Sequence, residues 1–297
     1  MTEVQKVDAF SWLKERVKQP ASQHHLRTMD ISQLTEEMVC DSTQVKNLFW
    51  YPIPDMIAAL SRRCQGSTAV LDVGCGWTPF PSATHLVDWS PAGTHPGKSV
   101  FPLDVDTDTF PFMTNAFDFV YSRHMLEDIQ NPVHAFQEMV RVGQSGHFET
   151  PSPLVELLLG VDTREDLLYR GYIHHRYIVW SEQEDNSLHF LPKYPIIEYI
   201  TMSESLTHFM TYLANHFPVY WNNYYSWDKS PAGTTHKAQG PQGQGTTHKA
   251  PKVVMHRNEF DFDFRTKGEY EKLLIRAIFA SLTYTNAFVA GIPTSYS

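Results

Sequence analysis

Two hydrophobic periodicities divide the chain. Before about residue 65 the apolar positions recur at helical spacing. Val4, Phe10, Trp12, Leu13 and Val17 form one stripe, and "DISQLTEEM" opens a second segment on acidic residues. "YPIPDMIAALSRRC" sets prolines ahead of a helix that closes on basic side chains, as the helix dipole favours. From Thr68 the pattern changes to short apolar runs bounded by glycine, proline or acidic residues. "AVLDVG", "THLVD", "SVFPLDV" and "AFDFVYS" read as four strands, the first of them buried, and "SGHFETPSP" as a fifth that runs into a proline-rich turn. Ahead of the fifth, "NPVHAFQEMVRV" lines up Val133, Phe136, Met139 and Val140 on one side of a helix, with Asn131 as its N-cap and Pro132 in its first position. Strands alternating with connections in this way predict an α/β fold with a doubly wound, mostly parallel sheet, whose ligands bind at the carboxyl ends of the strands.

After Pro151, "YRGYIHHRYIVW" and "NSLHFLPKYPIIEYI" alternate as strands do, whereas "SLTHFMTYLANHF" and "GEYEKLLIRAIFASL" read as helices. The aromatic run "FPVYWNNYYSW", Phe217 to Trp227, is expected to pack against the sheet, the other reading being an aromatic pocket for a cationic or planar acceptor. "GTTHKA" occurs at Gly233 and again at Gly245, separated by "QGPQGQ". Residues of this kind build no core, so a flexible surface insertion is expected there. The resulting organisation is a helical cap over 1–65, an α/β domain over 66–228 and 253–297, and an insertion over 229–252.

Composition narrows the setting. At 297 residues and 42% hydrophobic content the chain can bury a sizeable core. A formal charge of -9 argues against broad binding to nucleic acid or to an anionic membrane. Cys40, Cys64 and Cys75 have no metal-ligand spacing and suit a reducing compartment. The N-terminal residues contain no apolar run of the secretory kind, and the late apolar stretch Leu273 to Ile292 is interrupted by Arg276 and threonines. The expectation is a soluble cytoplasmic protein with a small-molecule substrate and no nucleic-acid or membrane partner.

Candidate chemistry gathers at the predicted strand ends. "GCG" after a buried strand lets the chain turn sharply and lets a ligand approach the backbone at Gly74 and Gly76. Asp88, closing the second strand, has the chemistry to accept both hydroxyls of a ribose, and Asp72 to anchor the glycine loop or a ligand amine. One of Asp104 and Asp106 suits an adenine amine, and the spacing leaves open which. His174 or His175 can take a proton from an acceptor, and Arg176 can clamp a carboxylate or phosphate. If the two histidines lie on a strand, they point to opposite faces. A rival reading takes His124, Glu149 and His174 (or His175) as a two-histidine, one-carboxylate set for a transition metal.

"VLDVGCG", "HLVDWSP", "FPLDVDTDTFPF", "FDFVYSRHMLEDIQNP" and "AFQEMVRV", in that order, resemble the successive motifs of class I S-adenosylmethionine-dependent methyltransferases, near the small-molecule type 11 group. The resemblance spans about Val70 to Pro151. It implies a seven-stranded Rossmann-like sheet, S-adenosylmethionine as cofactor, Gly74 and Gly76 at the methionine moiety, Asp88 at the ribose, and Asp104 or Asp106 at the adenine. It also implies that Ser122 and Arg123 face the transferred methyl group. Three departures stand out. Only twelve positions separate Gly76 from Asp88, and "WTPFPSA" between them holds two prolines, so a full crossover helix does not fit. Thr78 stands where the pattern has a third glycine, and "LED" at Asp128 replaces the usual "LEH". Methyl transfer to a small molecule is the leading expectation; the others are a metal-dependent enzyme on the same fold and a non-catalytic binding protein.

Overall fold

A strand with apolar side chains on both faces needs two coverings, and the core is split accordingly. Val70 and Leu71 lie in different hydrophobic clusters, as do Leu86 and Val87, Phe119 and Val120, and Tyr224 and Tyr225. This is the two-residue alternation of an extended chain, with both sides dry. The computed structural model describes residues 26–30, 45–46, 49, 51–91, 93–162, 169–229, 249–256 and 264–292. Most of the expected N-terminal cap and most of the "GTTHKA" insertion lie outside the described residues.

The central sheet is built from β1 (Val70–Val73), β2 (His85–Asp88), β3 (Ser99–Pro102), β4 (Phe117–Arg123), β5 (Gly143–Pro151) and β8 (Asn222–Asp228) in the order β3-β2-β1-β4-β5-β8. The first five are parallel, and β8 runs antiparallel along β5 with Glu149 opposite Tyr224. This is the expected Rossmann-like, mostly parallel arrangement, but with six strands among the described residues, not seven. The hairpin of β6 (Tyr177–Glu182) and β7 (Ser187–Pro192) instead joins β9 (Lys252–Met255) in a separate three-stranded sheet. Val179, Leu188 and Phe190 of that hairpin fill one core cluster with Leu71, Val73, Val87 and Val120, doing the work that a further helix would do on an all-helix-covered face.

One face of the sheet is covered by α1 (Pro54–Arg63), α3 (Pro153–Leu157), α4 (Glu204–His216) and α5 (Phe264–Ala290), which contribute Met56, Leu60, Leu154, Met210, Leu213, Leu274 and Ile278 to one cluster. The other carries α2 (Pro132–Val142), whose Ala135, Phe136, Met139 and Val142 are buried. The Asn131 side chain accepts the His134 N–H at the N-terminus of α2, the N-cap read from "NPVH". The aromatic run packs as expected: Tyr220, Trp221, Tyr224, Tyr225 and Trp227 are all buried.

One expectation holds and another changes. The chain from 74 to 84, every residue of it described, forms turns and no helix, so the first crossover is a loop, as its length required. The apolar stretch around Arg276, in contrast, is not interrupted. α5 runs for 27 residues, and its span Lys267–Ala290 is long and apolar enough to cross a membrane by length and composition. Tyr270, Leu274, Ala277, Ile278 and Leu282 are nevertheless buried, and the helix packs on β6 and β8 as a core helix does.

Gly146 on β5 lies directly against the Trp227 indole of β8, where a Cβ would collide with the ring. Gly146→Ala is therefore expected to lower unfolding free energy by about 1–3 kcal/mol, as overpacking of a core does. Urea denaturation checks this, with an unchanged midpoint counting against the packing described.

Candidate cofactor and acceptor site

The loop after β1 is shaped by backbone geometry and by two carboxylates. Gly74 (φ +74°) donates its N–H to the Val87 carbonyl at 2.8 Å, and a Cβ there would stand 2.7 Å from Met125 Cγ. Only glycine gives both that backbone and that approach. Gly76 (φ +49°) has open space around its Cα and donates its N–H to Asp88 Oδ2 at 2.9 Å, while Asp88 Oδ1 accepts the Ser90 N–H at 3.0 Å. Asp72 is buried and its Oδ2 accepts the Phe80 N–H at 2.7 Å. Burial raises the Asp72 carboxyl to about 7, against the opposing pull of that hydrogen bond. Phe80 itself is buried and stacks on Tyr121 with ring centroids 4.6 Å apart. Trp77 and Trp89, which follow Gly76 and Asp88, are 85% and 72% exposed.

The two acids after β3 differ in what they already hold. Asp106 Oδ1 accepts the Asn131 N–H at 2.7 Å and so secures the start of α2. Asp104 Oδ1 accepts the Asp106 N–H at 3.0 Å, within its own turn.

At the ends of β4 and β5 the polar groups are buried and linked. Ser122 is buried, and its Oγ has no hydrogen-bond partner among the described residues. Glu149 Oε2 accepts Arg123 Nε at 3.3 Å and Asn222 Nδ2 at 3.1 Å, and Asn222 Oδ1 meets His124 Nε2 at 2.9 Å. Burial, with the Arg123 charge beside it, lowers His124 to about 3, leaving a neutral imidazole. Burial opposes ionisation of Glu149, yet His147 and Arg123 hold its carboxyl below the usual range. This network does not include His174.

His174 and His175 lie in the turn before β6, not on a strand, so they do not point to opposite faces. Their rings stand 4.4 Å apart between centroids, and each Nε2 lies 3.9 Å from the same atom, Asp128 Oδ1. His175 is buried with Nδ1 2.6 Å from Glu156 Oε1, and Lys193 Nζ reaches Glu156 Oε2 at 2.6 Å. The half-exposed His174 has Nδ1 3.8 Å from Asp162 Oδ2, which raises its proton affinity. Arg176 points back to the chain, donating from Nε to the Asp128 carbonyl at 2.9 Å. Among the described residues, the groups whose histidine and carboxylate atoms lie within 4.8 Å of one another are Asp128, His174, His175 and Glu182, Asp185, His189. Neither contains His124 or Glu149, so the metal set read from the sequence is not brought together.

Residues 71–148 match a family model described as "Methyltransferase domain". The match covers about a quarter of the chain. Nothing among curated proteins matches the chain. Among solved structures it is similar to an S-adenosylmethionine-dependent methyltransferase from Mesorhizobium loti, at 20% identity over 35% of this chain and 57% of that one, TM-score 0.29. It is similar to the trans-methyltransferase CalH in complex with SAH (17% identity, 33% and 36% covered, TM-score 0.27) and to the [4+2]-cyclase SpnF (18%, 37% and 50%, TM-score 0.29). This chain thus spans little more than half of the first of these structures.

In this matched segment, β1, β2 and β4 bring Gly74, Gly76, Asp88, Ser122 and Arg123 to the carboxyl ends of neighbouring strands. The sequence reading missed Asn222, Glu156 and Asp162. Glu156 did leave a signal, being a lone acid in the apolar run "PLVELLLG", since a buried carboxylate there requires partners. Asn222 left none, because its partner His124 lies far away in sequence.

Asp72 supplies a pH test. Its carboxyl is raised in the folded state from an ordinary 3.8 to about 7, so the unfolded chain gives up this proton first. Its contribution to stability is complete below pH 3.8 and falls as pH rises towards 7, by at most about 1.4 kcal/mol per pH unit. In Asp72→Asn the amide oxygen still accepts the Phe80 N–H but does not titrate. The stability of the variant relative to the native chain is expected to rise across that window and level off above it. Denaturant titrations at several pH values check this, and a pH-independent difference contradicts it.

Proposed function

We propose that the protein transfers a methyl group from S-adenosylmethionine to a small-molecule acceptor. The observation that carries the reading is the bond from the Gly76 N–H to Asp88, which joins the two parts of the expected cofactor site across the shortened crossover. A carboxylate offers about four acceptor positions; at Asp88 backbone N–H groups use two and the Cys75 thiol approaches as well, which still leaves an acceptor position for a ribose hydroxyl. Gly74 and Gly76 leave the backbone approachable for the methionine part. Of the two acids after β3, Asp104 is the better candidate for the adenine amine, because Asp106 is engaged with α2. The exposed Trp89 ring beside Asp88 offers a face for the base.

The bound sulfonium supplies an already activated methyl group. The protein's part is to hold the acceptor in line with it and to exclude water. Ser122, whose buried hydroxyl has no partner among the described residues, and Arg123 would line the methyl end of the site. His175, fixed by Glu156, is the candidate to receive the acceptor's proton. The charge of -9 supports a small molecule over nucleic acid or anionic lipid as the acceptor, and a cytoplasmic location is part of the same proposal. For a non-catalytic binding protein one expects the cleft beside Gly76 to be filled by Trp77 or Phe80. The shortened crossover favours that reading; against it, Trp77 is exposed and Phe80 is packed on Tyr121, so neither ring fills the space at Gly76.

Isothermal titration with S-adenosylmethionine and S-adenosylhomocysteine is expected to give micromolar affinity. Removing the charged acceptor in Asp88→Ala should weaken binding at least about tenfold, the loss of one hydrogen bond to a charged group. Gly74→Ala should weaken it as well, because the new methyl displaces Met125. Absence of binding at millimolar ligand would rule the proposal out.

A further inference from the structure

The turn that carries His174 and His175 contains more than a proton acceptor needs. Both Nε2 atoms face one oxygen, Asp128 Oδ1, at 3.9 Å, too far for a hydrogen bond. That oxygen is itself buried and has no hydrogen-bond partner among the described residues. Behind each imidazole, Nδ1 faces a second carboxylate: Glu156 at 2.6 Å for His175 and Asp162 at 3.8 Å for His174. A carboxylate on the far nitrogen is the arrangement that fixes the tautomer and aim of a metal-ligating histidine.

We infer that Asp128 Oδ1, His174 Nε2 and His175 Nε2 form a binding site for a divalent first-row transition ion of the zinc type. Nitrogen and oxygen bonds of about 2.0–2.1 Å to a tetrahedral ion put ligand atoms about 3.3 Å apart, so each imidazole nitrogen, now 3.9 Å from Asp128 Oδ1, has to approach that oxygen by only several tenths of an ångström. The half-exposed His174 can make that movement. Three protein ligands leave a fourth position for water or for an oxygen or sulfur of an acceptor, the pattern of an ion that takes part in chemistry. The site stands at the carboxyl end of β4, where Asp128 donates its N–H to the carbonyl of Met125, the residue that packs on Gly74. A metal-held acceptor would therefore sit beside the glycine loop. The ligand set differs from the one read in the sequence and stands whether or not the cofactor reading does; with an ion bound, His175 Nε2 holds the ion in place of the acceptor's proton.

The second histidine–carboxylate group has no such vacancy of function. Asp185 is taken by Lys252 and Ser187, Glu182 by Arg276 and Trp180, and His189 by Ser187 and His256.

The test uses the full chain with His236→Gln and His248→Gln, which removes the histidines of the "GTTHKA" copies, purified free of metal. Zinc chloride alone is titrated calorimetrically, and Co2+ alone is followed by its visible absorption as a report on coordination geometry. The expected result is one saturable site per chain of micromolar affinity or better, with a Co2+ spectrum of low-symmetry nitrogen and oxygen ligation. His174→Ala is half exposed in the native chain and is expected to fold, as thermal melting will check; it and Asp128→Asn should abolish that site. Glu156→Gln, a positioning change, should weaken it about 10–100-fold. Binding that survives in His174→Ala and Asp128→Asn, or no saturable binding below millimolar zinc, overturns the inference. Neither result bears on cofactor affinity, which is read separately.

Discussion

The hydrogen bond from the Phe80 N–H to Asp72 holds together the part of the molecule on which the candidate site depends. In a doubly wound sheet a crossover helix normally covers the first strand and delivers the chain to the second. Here an eleven-residue connection does both. A buried carboxylate catches the loop at its midpoint, which drives Phe80 onto Tyr121 as the cover the helix would have supplied. With the loop anchored there, Gly74 bonds to Val87 and Gly76 to Asp88, so the strand ends are registered to each other by backbone groups. Losing the helix also removes its N-terminal dipole from the anionic end of a bound ligand, and the Gly74 and Gly76 N–H groups, already bonded to Val87 and Asp88, do not replace it.

The second feature is a concentration of buried charge at the ends of β4 and β5. Glu149, Glu156, His175 and the neighbouring Glu127 are all nearly inaccessible to water. Burying charge is costly unless it is paired, and most of these groups are: Glu149 with Arg123 and Asn222, Glu156 with His175 and Lys193. Glu127 is the exception, since both its oxygens lack a partner among the described residues, and burial keeps its carboxyl protonated well above the usual range. Strained or unpaired groups collect where a protein does chemistry. His124, held at φ +50° beside this network, belongs to the same pattern.

The fold alone leaves the reaction open, because one scaffold hosts many chemistries. What narrows it is the coincidence, at one end of one sheet, of a glycine turn tied to an acid and an imidazole pair aimed at another acid. The two constellations touch through Met125, which packs on Gly74 and lies three residues before Asp128.

The strands, the cap of α2 and the lost crossover helix were all legible in the sequence, because each rests on local rules: side-chain alternation, an Asn-Pro start, and twelve positions that cannot hold a helix and its turns. The glycine and acidic positions were legible for the same reason. What the sequence could not decide were partnerships across distance. It offered His174 and His175 as strand residues on opposite faces, whereas the fold places them in a turn where both meet Asp128. It grouped His124 and Glu149 with a distant histidine, whereas β8 brings Asn222 between them. It read β6 and β7 as strands without saying what they pair with, and the fold sets them in a separate three-stranded sheet with β9. Local periodicity determines which elements form; only the burial of the whole chain determines which polar groups must face one another.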